Sequence, residues 1–175
     1  MVDLLKTLAT TLNNEANNIV KHISDGVAYK SDFFNTVYTF ESIQQRPRAL
    51  WGKCGVYVFV VKTPVSLTAD EVRKWNNVRG AKFKDYKKKD LRVADCLYVG
   101  SGDSIYRRMT DHFNATGEST GLKLASPNRK KVLNCVKVYA FPLRSKYRQY
   151  SSIIMREIEK GLHNTLNPVA GSSRV

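Results

Sequence analysis

The sequence has few of the residues that support disulfide-rich, fibrous or disordered proteins. Its 175 residues include three cysteines, ten glycines and five prolines, whereas 42% of them are hydrophobic. This composition excludes a collagen-like or wholly disordered chain. Cys54, Cys96 and Cys135 are about 40 residues apart and form no Cys-x-x-Cys or Cys/His pair, which argues against a structural zinc site. We therefore expect small buried thiols in a reducing compartment.

Long apolar runs and a secretion signal are also missing. No hydrophobic run approaches the roughly 18 residues that a membrane-spanning helix needs. The opening residues Met1-Val2-Asp3-Leu4 lack a basic start followed by an apolar block, so we expect no signal peptide. The length accommodates one domain with an extension. These features predict a cytoplasmic protein without a membrane partner.

Acidic residues are scarce relative to basic ones. The chain has 15 Asp and Glu against 29 Lys and Arg, which gives a net charge of +14 at pH 7. Such an excess favours binding to nucleic acid or to an anionic membrane surface. The charge alternates with strand and loop patterns instead of forming one basic amphipathic helix, so a membrane-surface role is the weaker of these alternatives.

Hydrophobic patterning predicts an α+β domain. Apolar, β-branched and aromatic runs indicate strands, and apolar residues at helical spacing indicate helices. The predicted strands cover residues 54–62, 94–100 and 133–141, and the predicted helices cover 2–24 (as one or two helices), 69–77, 104–115 and 147–166. Residues 33–43 are compatible with helix or strand. The order of elements predicts a small central, mostly antiparallel three-stranded sheet flanked by helices.

These elements divide the chain into two predicted parts. Residues 1–50 are expected to form an N-terminal helical extension, and residues 51–170 the α+β domain. A basic insertion at 64–93 separates the first two strands. Between positions 73 and 92 it holds nine Lys or Arg and two Asp or Glu, which is half of the net charge of the whole chain.

Two short motifs and three single residues stand at defined spacings in the domain. They are Gly55-Val-Tyr57, Tyr98-Val-Gly100, Arg108, His112, and Glu159 with Leu162 and Pro168 behind it. Both motifs lie inside predicted strands, the Arg comes ten residues after the second tyrosine, and the His comes four residues later. The Glu is followed by Leu after three residues and by Pro after nine. This combination resembles the GIY-YIG nuclease family over about residues 54–170.

The resemblance implies a catalytic role for each of these side chains. Tyr57 or Tyr98 would act as the general base or relay a proton to it, and Arg108 would hold the scissile phosphate. His112 would assist the proton relay or bind phosphate, and Glu159 would bind Mg²⁺ or Mn²⁺. Taken singly, the residue types also fit packed tyrosines, a solvated arginine and a histidine that caps an apolar stripe.

Two of these assignments have a neighbour as a competitor. Helical periodicity does not choose between Glu157 and Glu159 as the metal ligand, and the family spacing favours Glu159. Arg107 lies beside Arg108, and the ten-residue spacing from the second tyrosine favours Arg108.

The chain departs from the family pattern in two places. Family members carry an Asn beyond the Glu, but position 171 is Gly here, which leaves Asn164 or Asn167 as substitutes. The tyrosines Tyr57 and Tyr98 are 41 residues apart, too far for a simple hairpin, so the basic insertion is expected between neighbouring strands.

Beside such motifs, we interpret the basic insertion as a contact for nucleic acid. Positive charge can follow a phosphate backbone, and Trp75, Phe83 and Tyr86 would meet sugars or bases. The alternative is a solvated charge run whose aromatic residues lie in the core. The predicted binding residues are Lys82, Lys84, Lys87, Lys88, Lys89, Arg92 and, outside the insertion, Arg107.

The sequence therefore predicts a Mg²⁺-dependent endonuclease of restriction or phage type that hydrolyses phosphodiester bonds in double-stranded DNA. One active site per chain would favour a homodimer, or two successive nicks, for cutting both strands. The alternative is a non-catalytic basic nucleic-acid-binding module with a nuclease-like fold, which the missing Asn keeps open.

Overall fold

The computed structural model describes residues 2–77, 79–84, 90–114 and 121–171. Within these ranges five helices and six strands form a mixed α/β fold. The helices are α1 (Val2–Asp25), α2 (Ala69–Asn77), α3 (Ile105–Phe113), α4 (Lys130–Leu133) and α5 (Ser151–Leu166). The strands are β1 (Tyr38–Phe40), β2 (Gly55–Val61), β3 (Val65–Ser66), β4 (Asp90–Leu91), β5 (Cys96–Gly102) and β6 (Val136–Pro142). Among the described helices, none has both the length and the apolar character that crossing a membrane requires.

The main sheet has four antiparallel strands in the order β1-β6-β2-β5. The prediction of a three-stranded sheet is therefore wrong. The additional strand, β1, comes from the segment 33–43 and pairs Tyr38 with Ala140 and Phe40 with Val138. Three residues are too few to show a period-two pattern, so this strand is defined by its partner β6 rather than by its own sequence.

The other predicted elements differ from the structure mainly at their ends. Helix α3 ends at Phe113 because the next residue, Asn114, has an extended backbone. Helix α5 begins at Ser151 and is preceded by a 3₁₀ segment, Ser145–Tyr150. The short helix α4 occupies residues where the pattern predicts loop and the start of a strand.

Strand β2 is buried along its whole length because it lies between β5 and β6 and is covered on both faces. Tyr57 and Phe59 belong to a core shared with α2 and α3, whereas Val56 and Val58 belong to a core shared with α1 and α5. Burial on both faces explains why this strand reads as a continuous apolar run rather than as an alternating one.

Helices α1 and α5 pack against each other on one face of the sheet. Helix α1 is continuous and buries Leu12 and Ala16, while α5 buries Ile158 and Leu162 in the same core. A Cβ on Gly161 would lie 2.8 Å from the Ala16 Cβ, so the absence of a side chain allows the two helices to approach closely. The N-terminal helix thus shares the core of the domain.

The three cysteines are free thiols. Cys54 and Cys96 are buried in the core beside α1 and α5, as the sequence predicts, and Cys135 is partly exposed.

The described part of the insertion contains β3, α2 and β4, and the two strands pair as a small antiparallel sheet. Helix α2 begins with the capping box that the sequence shows at Thr68-Ala-Asp-Glu71. The Thr68 backbone N–H donates to the Glu71 carboxylate at 2.6 Å, and the Glu71 N–H donates to the Thr68 hydroxyl at 3.2 Å.

Two aromatic residues of the insertion are anchors of the core. Trp75 is fully buried and donates from Nε1 to the Ala81 carbonyl at 2.8 Å, and Phe83 is buried against it. The expectation that Trp75 and Phe83 meet bases is therefore wrong, since the apolar surface of both rings is buried in the core. Tyr86 lies outside the described residues.

Arg129 attaches the insertion to the rest of the domain. Its guanidinium carbon lies 4.7 Å from the Trp75 ring centroid, and its side chain donates to the carbonyls of Trp75 and Leu122. The arginine is completely buried. One cation thus satisfies two carbonyls and one ring face in a region without access to water.

We expect the Arg129→Ala substitution to lower the free energy of unfolding by about 3 kcal/mol, because two buried carbonyls lose a charged donor. The matched control is Arg73→Ala on α2, since Arg73 is 71% exposed and pairs only with the exposed Asp70. This control should change stability by less than about 0.5 kcal/mol. Urea unfolding followed by circular dichroism measures both, and equal effects would contradict the anchoring role.

Candidate active site

The pairing of β2 with β5 brings the two motif tyrosines to one face of the sheet. Tyr57 lies opposite Gly100 and Phe59 lies opposite Tyr98, so the tyrosines are diagonal neighbours. Their ring centroids are 6.4 Å apart and their planes differ by 16°. A Cβ on Gly100 would lie 2.7 Å from the Tyr57 hydroxyl oxygen. The glycine of the second motif therefore leaves the space that the Tyr57 ring occupies.

Helix α3 supplies the arginine and the histidine. The Ser104 hydroxyl caps its first turn by accepting from the Arg107 N–H at 3.4 Å. Residues 105, 109 and 113 form its buried stripe, as the sequence predicts. Arg108 and His112, one turn apart, lie against Tyr57, whereas Arg107 is exposed.

His112 is completely buried, and both of its ring nitrogens have partners. Nδ1 accepts from the Leu122 N–H at 2.9 Å, so in the neutral ring the proton is on Nε2, which lies 3.1 Å from the Tyr57 hydroxyl oxygen and donates to it. Burial, together with the charge of Arg108, holds the pKa of His112 well below its usual range. The neutral imidazole therefore contacts the phenol, and this arrangement leaves no ring nitrogen for phosphate.

Tyr57 is also completely buried, and its hydroxyl oxygen accepts from two groups, His112 Nε2 and Arg108 Nε, the latter at 3.4 Å. Burial raises the pKa of Tyr57, the neighbouring Tyr98 and Glu159 add to the increase, and Arg108 opposes it. The phenol is therefore neutral at pH 7. Tyr98 is only partly buried, and its ring centroid lies 4.7 Å from that of His112. Water thus reaches Tyr98 but not Tyr57.

Arg108 is held in a fixed orientation. Its Nε donates to Tyr57, and its Nη1 lies 3.3 Å from the Asp111 carboxylate. Burial lowers the pKa of Arg108, but Tyr57, Tyr98 and Asp111 outweigh it, so the pKa is raised and the side chain stays cationic. A Cβ on Gly102 would lie 2.8 Å from Arg108 Cγ, so this glycine leaves room for the arginine beside β5.

Glu159 reaches the same edge strand from the other face of the sheet. It is 8% exposed, and its carboxylate accepts from the Ser101 hydroxyl at 2.5 Å. Ser101 pairs with Val56, whose side chain lies in the core beneath α5. The rival Glu157 is partly exposed and pairs with Arg156 at 3.2 Å. Of the two carboxylates, Glu159 is the one that contacts β5.

A cavity of about 310 Å³ opens beside Glu159. Its lining comes from the end of β5 and from α5, and comprises Ser101, Gly102, Asp103, Ser152, Met155, Arg156, Glu159 and Lys160. Gly102 lines this cavity and also contacts Arg108, so the carboxylate and the arginine lie on opposite sides of a strand segment without a side chain at that position. Tyr57, Tyr98, Arg108 and His112 therefore form one cluster, and Glu159 borders it across the strand.

The donor set at Glu159 fits a hard cation that keeps most of its water. Among the described residues, no group of three His, Cys, Asp or Glu side chains is placed to hold a metal alone. One carboxylate on an open cavity is enough for Mg²⁺ or Mn²⁺, which take their remaining ligands from water and phosphate oxygens.

Gly171, at the position where the resemblance to the GIY-YIG family predicts an Asn, touches the site. Gly171 has φ +84°, and a Cβ there would lie 2.7 Å from the Tyr98 ring, so an Asn at this position would collide with Tyr98. Asn164 and Asn167 are exposed on the last turn of α5 and just behind it. The structure therefore brings neither substitute to the cluster.

Two residues near Glu159, Ser101 and His163, are not among the predicted site residues. Ser101 donates to the carboxylate, and His163, one helical turn from Glu159, places Nε2 at 4.0 Å from a carboxylate oxygen. Burial and the charge of Lys84 lower the pKa of His163 to about 4, so its ring is neutral at pH 7. The i, i+4 spacing of Glu159 and His163 on a buried helix face was the available signal.

The predicted basic residues are distributed over two sides of the site. Lys82, Lys84 and Arg92 are exposed in the insertion, and Arg107 is exposed on α3. Lys84 lies close enough to His163 to affect its titration, which places this lysine on the Glu159 side. Three further predicted residues, Lys87, Lys88 and Lys89, lie outside the described residues.

No protein-family model matches the chain, and comparisons with curated proteins and with solved structures give no match. The proposed roles of the side chains therefore rest on their geometry, their charge and the spacing of the motifs.

We expect His112 to make the protein less stable in mild acid. Its pKa in the folded chain is below the unfolded value of about 6.5, so the unfolded state takes up the proton first and the free energy of unfolding falls as pH decreases below 6.5. The slope from this group is at most about 1.4 kcal/mol per pH unit. His163 acts in the same direction, so the test is the difference between wild type and His112→Gln.

Urea unfolding at pH 7, 6 and 5 measures this difference. The His112→Gln variant should lose less stability than wild type between pH 6.5 and 5. Identical pH slopes for the two proteins would contradict a neutral buried His112.

Proposed function

We propose that the protein is a Mg²⁺-dependent endonuclease that hydrolyses phosphodiester bonds in DNA. The observation that carries the proposal is the convergence of Tyr57, Arg108 and His112 through hydrogen bonds, with the Tyr98 ring packed against them and Glu159 on a cavity across Gly102. These residues come from two strands and two helices that are distant in sequence. Packing alone would not require a phenol, an imidazole and a guanidinium to share one buried contact.

Arg108 binds the phosphate in this proposal. Tyr57 and Asp111 engage two of its nitrogens, which fixes the plane of the guanidinium and leaves further N–H donors for phosphate oxygens. A cation held in a partly buried site stabilises the negative charge that develops on the phosphoryl oxygens. The arginine therefore both positions the phosphate and lowers the barrier.

The tyrosines and His112 hold and move the proton of the attacking water. A neutral phenol can accept the water proton at its oxygen only while it passes its own hydroxyl proton to a further acceptor, such as a phosphate oxygen, so either phenol would relay the proton. The partial exposure of Tyr98 favours it as the group that contacts water. Tyr57 and the neutral His112 lie deeper in the protein than Tyr98, and the Tyr57 oxygen already accepts two N–H hydrogen bonds. The proton of the Tyr57 hydroxyl therefore points away from both donors and is free for a further acceptor.

Glu159 would hold the Mg²⁺ or Mn²⁺ ion, with Ser101 fixing one carboxylate oxygen. The bound ion would supply positive charge that polarises the phosphate and steadies the leaving oxygen. Glu159 also lies beside Asp103, Arg156 and Lys160 on the cavity wall, so the site already combines acceptors for a metal with donors for phosphate.

The proposed substrate is double-stranded DNA, cut by a restriction-type or phage-type enzyme in the cytoplasm. Exposed Lys82, Lys84, Arg92 and Arg107 provide sequence-independent contacts with the phosphate backbone. Because each chain has one such cluster, a double-strand break would need a homodimer or two successive nicks. Sequencing of the product ends separates the possibilities, and random ends would contradict a restriction enzyme.

Replacing Glu159 with Gln should lower Mg²⁺-dependent nicking of a supercoiled plasmid by about 100-fold or more, because the only buried carboxylate on the cavity is lost. The matched control is Glu157→Gln two residues earlier, which changes a partly exposed carboxylate outside the cavity lining and should keep wild-type nicking. Both variants should still bind the plasmid in a gel-shift assay. Full nicking by a pure Glu159→Gln preparation would contradict the metal-ligand role.

Replacing Arg108 with Ala should reduce the nicking rate at saturating DNA by about 100- to 1000-fold, the usual effect of removing a donor to developing charge. The control, Arg107→Ala, removes the exposed neighbour and should weaken binding while leaving the saturated rate within a few-fold of wild type. Single-turnover kinetics measure both quantities. A rate loss in Arg107→Ala that equals that of Arg108→Ala would contradict the assignment.

A second candidate function is a non-catalytic nucleic-acid-binding module. It is favoured by one observation, the contact of Gly171 with Tyr98 where the family has an Asn. Digestion of defined DNA with and without Mg²⁺ or Mn²⁺ discriminates the two functions. Binding without any metal-dependent nicking by the wild-type protein would favour the module.

A further inference from the structure

A second cluster of aromatic and basic side chains lies on the other side of α3. Trp51 is 71% exposed and is the most exposed of the large hydrophobic side chains described. It follows a 3₁₀ turn, Arg48–Leu50, and precedes Gly52, whose φ of +65° completes the turn. The other tryptophan, Trp75, is completely buried. A tryptophan that is this exposed buries little of its apolar surface on folding, so a face of the ring is available to a ligand.

Trp51, Tyr106 and Arg46 are layered in a prearranged group, the Trp51–Tyr106 stack. The ring centroids of Trp51 and Tyr106 lie 5.0 Å apart with their planes tilted by 41°, and the Arg46 guanidinium carbon lies 3.4 Å from the Tyr106 centroid on α3. Arg46 is fixed there by donating to the Tyr106 carbonyl at 2.8 Å and to the Thr110 hydroxyl. Arg48, Trp51 and Tyr106 line a cavity of about 410 Å³. The aromatic faces are therefore held in place before any ligand binds.

The charge around this stack is positive. Arg48, Lys53 and Arg107 are exposed near the two rings, and within the described part of the chain none of them takes part in an ion pair. An apolar protein partner would not need three uncompensated cations at the rim. A strand of nucleic acid offers both a flat base for the rings and phosphates for the cations.

We propose that Trp51 stacks on an unpaired base of a nucleic-acid strand, with Tyr106 supporting its ring, while Arg48 and Arg107 bind the phosphates of that strand. This inference rests on the proposed nuclease function and deepens it. Tyr106 precedes Arg108 by two residues on α3, about 3 Å along the helix axis, so the base would bind within one turn of the phosphate-binding arginine. In a relaxed duplex the base faces are covered by neighbouring bases, so the site prefers single-stranded or locally opened DNA.

The test uses the full chain in EDTA, which prevents cleavage, and a single-stranded dT oligonucleotide, with a duplex of the same length for comparison. Tryptophan emission should be quenched more by the single strand than by the duplex, and Trp51→Phe should remove the quenching because Trp75 is buried. In a fluorescence-anisotropy titration of a labelled single strand, the Trp51→Ala variant should bind at least about fivefold more weakly than wild type. The control Val27→Ala, at a residue that is 52% exposed, should bind like wild type.

Each outcome decides the inference. Unchanged binding by Trp51→Ala, or equal quenching by single strand and duplex, overturns it even where wild-type protein nicks plasmid DNA. Quenching and weakened binding as described support it even where no nicking is found, in which case only the proposed catalysis fails. An absence of binding to either oligonucleotide overturns both proposals.

Discussion

The pairing register between β2 and β5 is the constraint on which the candidate site depends. It places Tyr57 opposite Gly100 and Tyr98 opposite Phe59, so both phenols lie on the face covered by α3. Side chains alternate between faces along a strand, so a slip of one residue would turn Tyr98 into the core beneath α1 and α5. The register also fixes Ser101 on the opposite face, where it reaches Glu159. One ladder of backbone hydrogen bonds thus sorts the site residues between the two faces.

The glycines of β5 make this arrangement possible. Gly100 leaves space for the Tyr57 ring, and Gly102 leaves space for the Arg108 side chain. A strand with side chains at both positions would separate the arginine from the Glu159 cavity. Gly100, which ends the second motif, and Gly102 behind it therefore have a steric reason that is independent of any family, since each marks a close approach of a side chain to backbone. The buried contacts of Tyr57 with His112 and Arg108 follow from that approach, because they form only where the phenol can lie across the strand.

Much of the fold and part of the site could be predicted from the sequence. Apolar runs located β2, β5 and β6, and the i, i+4 spacing placed Arg108 and His112 together, because these signals are local. The short strand β1 could not be found, since three residues carry no pattern of their own. Ser101 could not be found either, because its importance comes from the packing of α5 on β5. The burial of Trp75 depends on Arg129, which lies 54 residues away in the sequence.

The position of Trp75 changes the meaning of the net charge of +14. Half of that charge lies in an insertion whose described aromatic residues are buried, so the described part of the insertion presents cations without exposed rings. The most exposed ring described is that of Trp51, before β2 and next to α3. Contacts with phosphates position a protein on a nucleic acid, whereas contacts with bases distinguish one strand or sequence from another. In the proposed function the two tasks therefore fall on separate surfaces, the insertion and the Trp51–Tyr106 stack, and α3 carries Arg107, Arg108 and Tyr106 between the stack and the candidate site. A change in salt concentration would act mainly on the first surface and leave the preference of the second for an unpaired base in place, because stacking does not require charge.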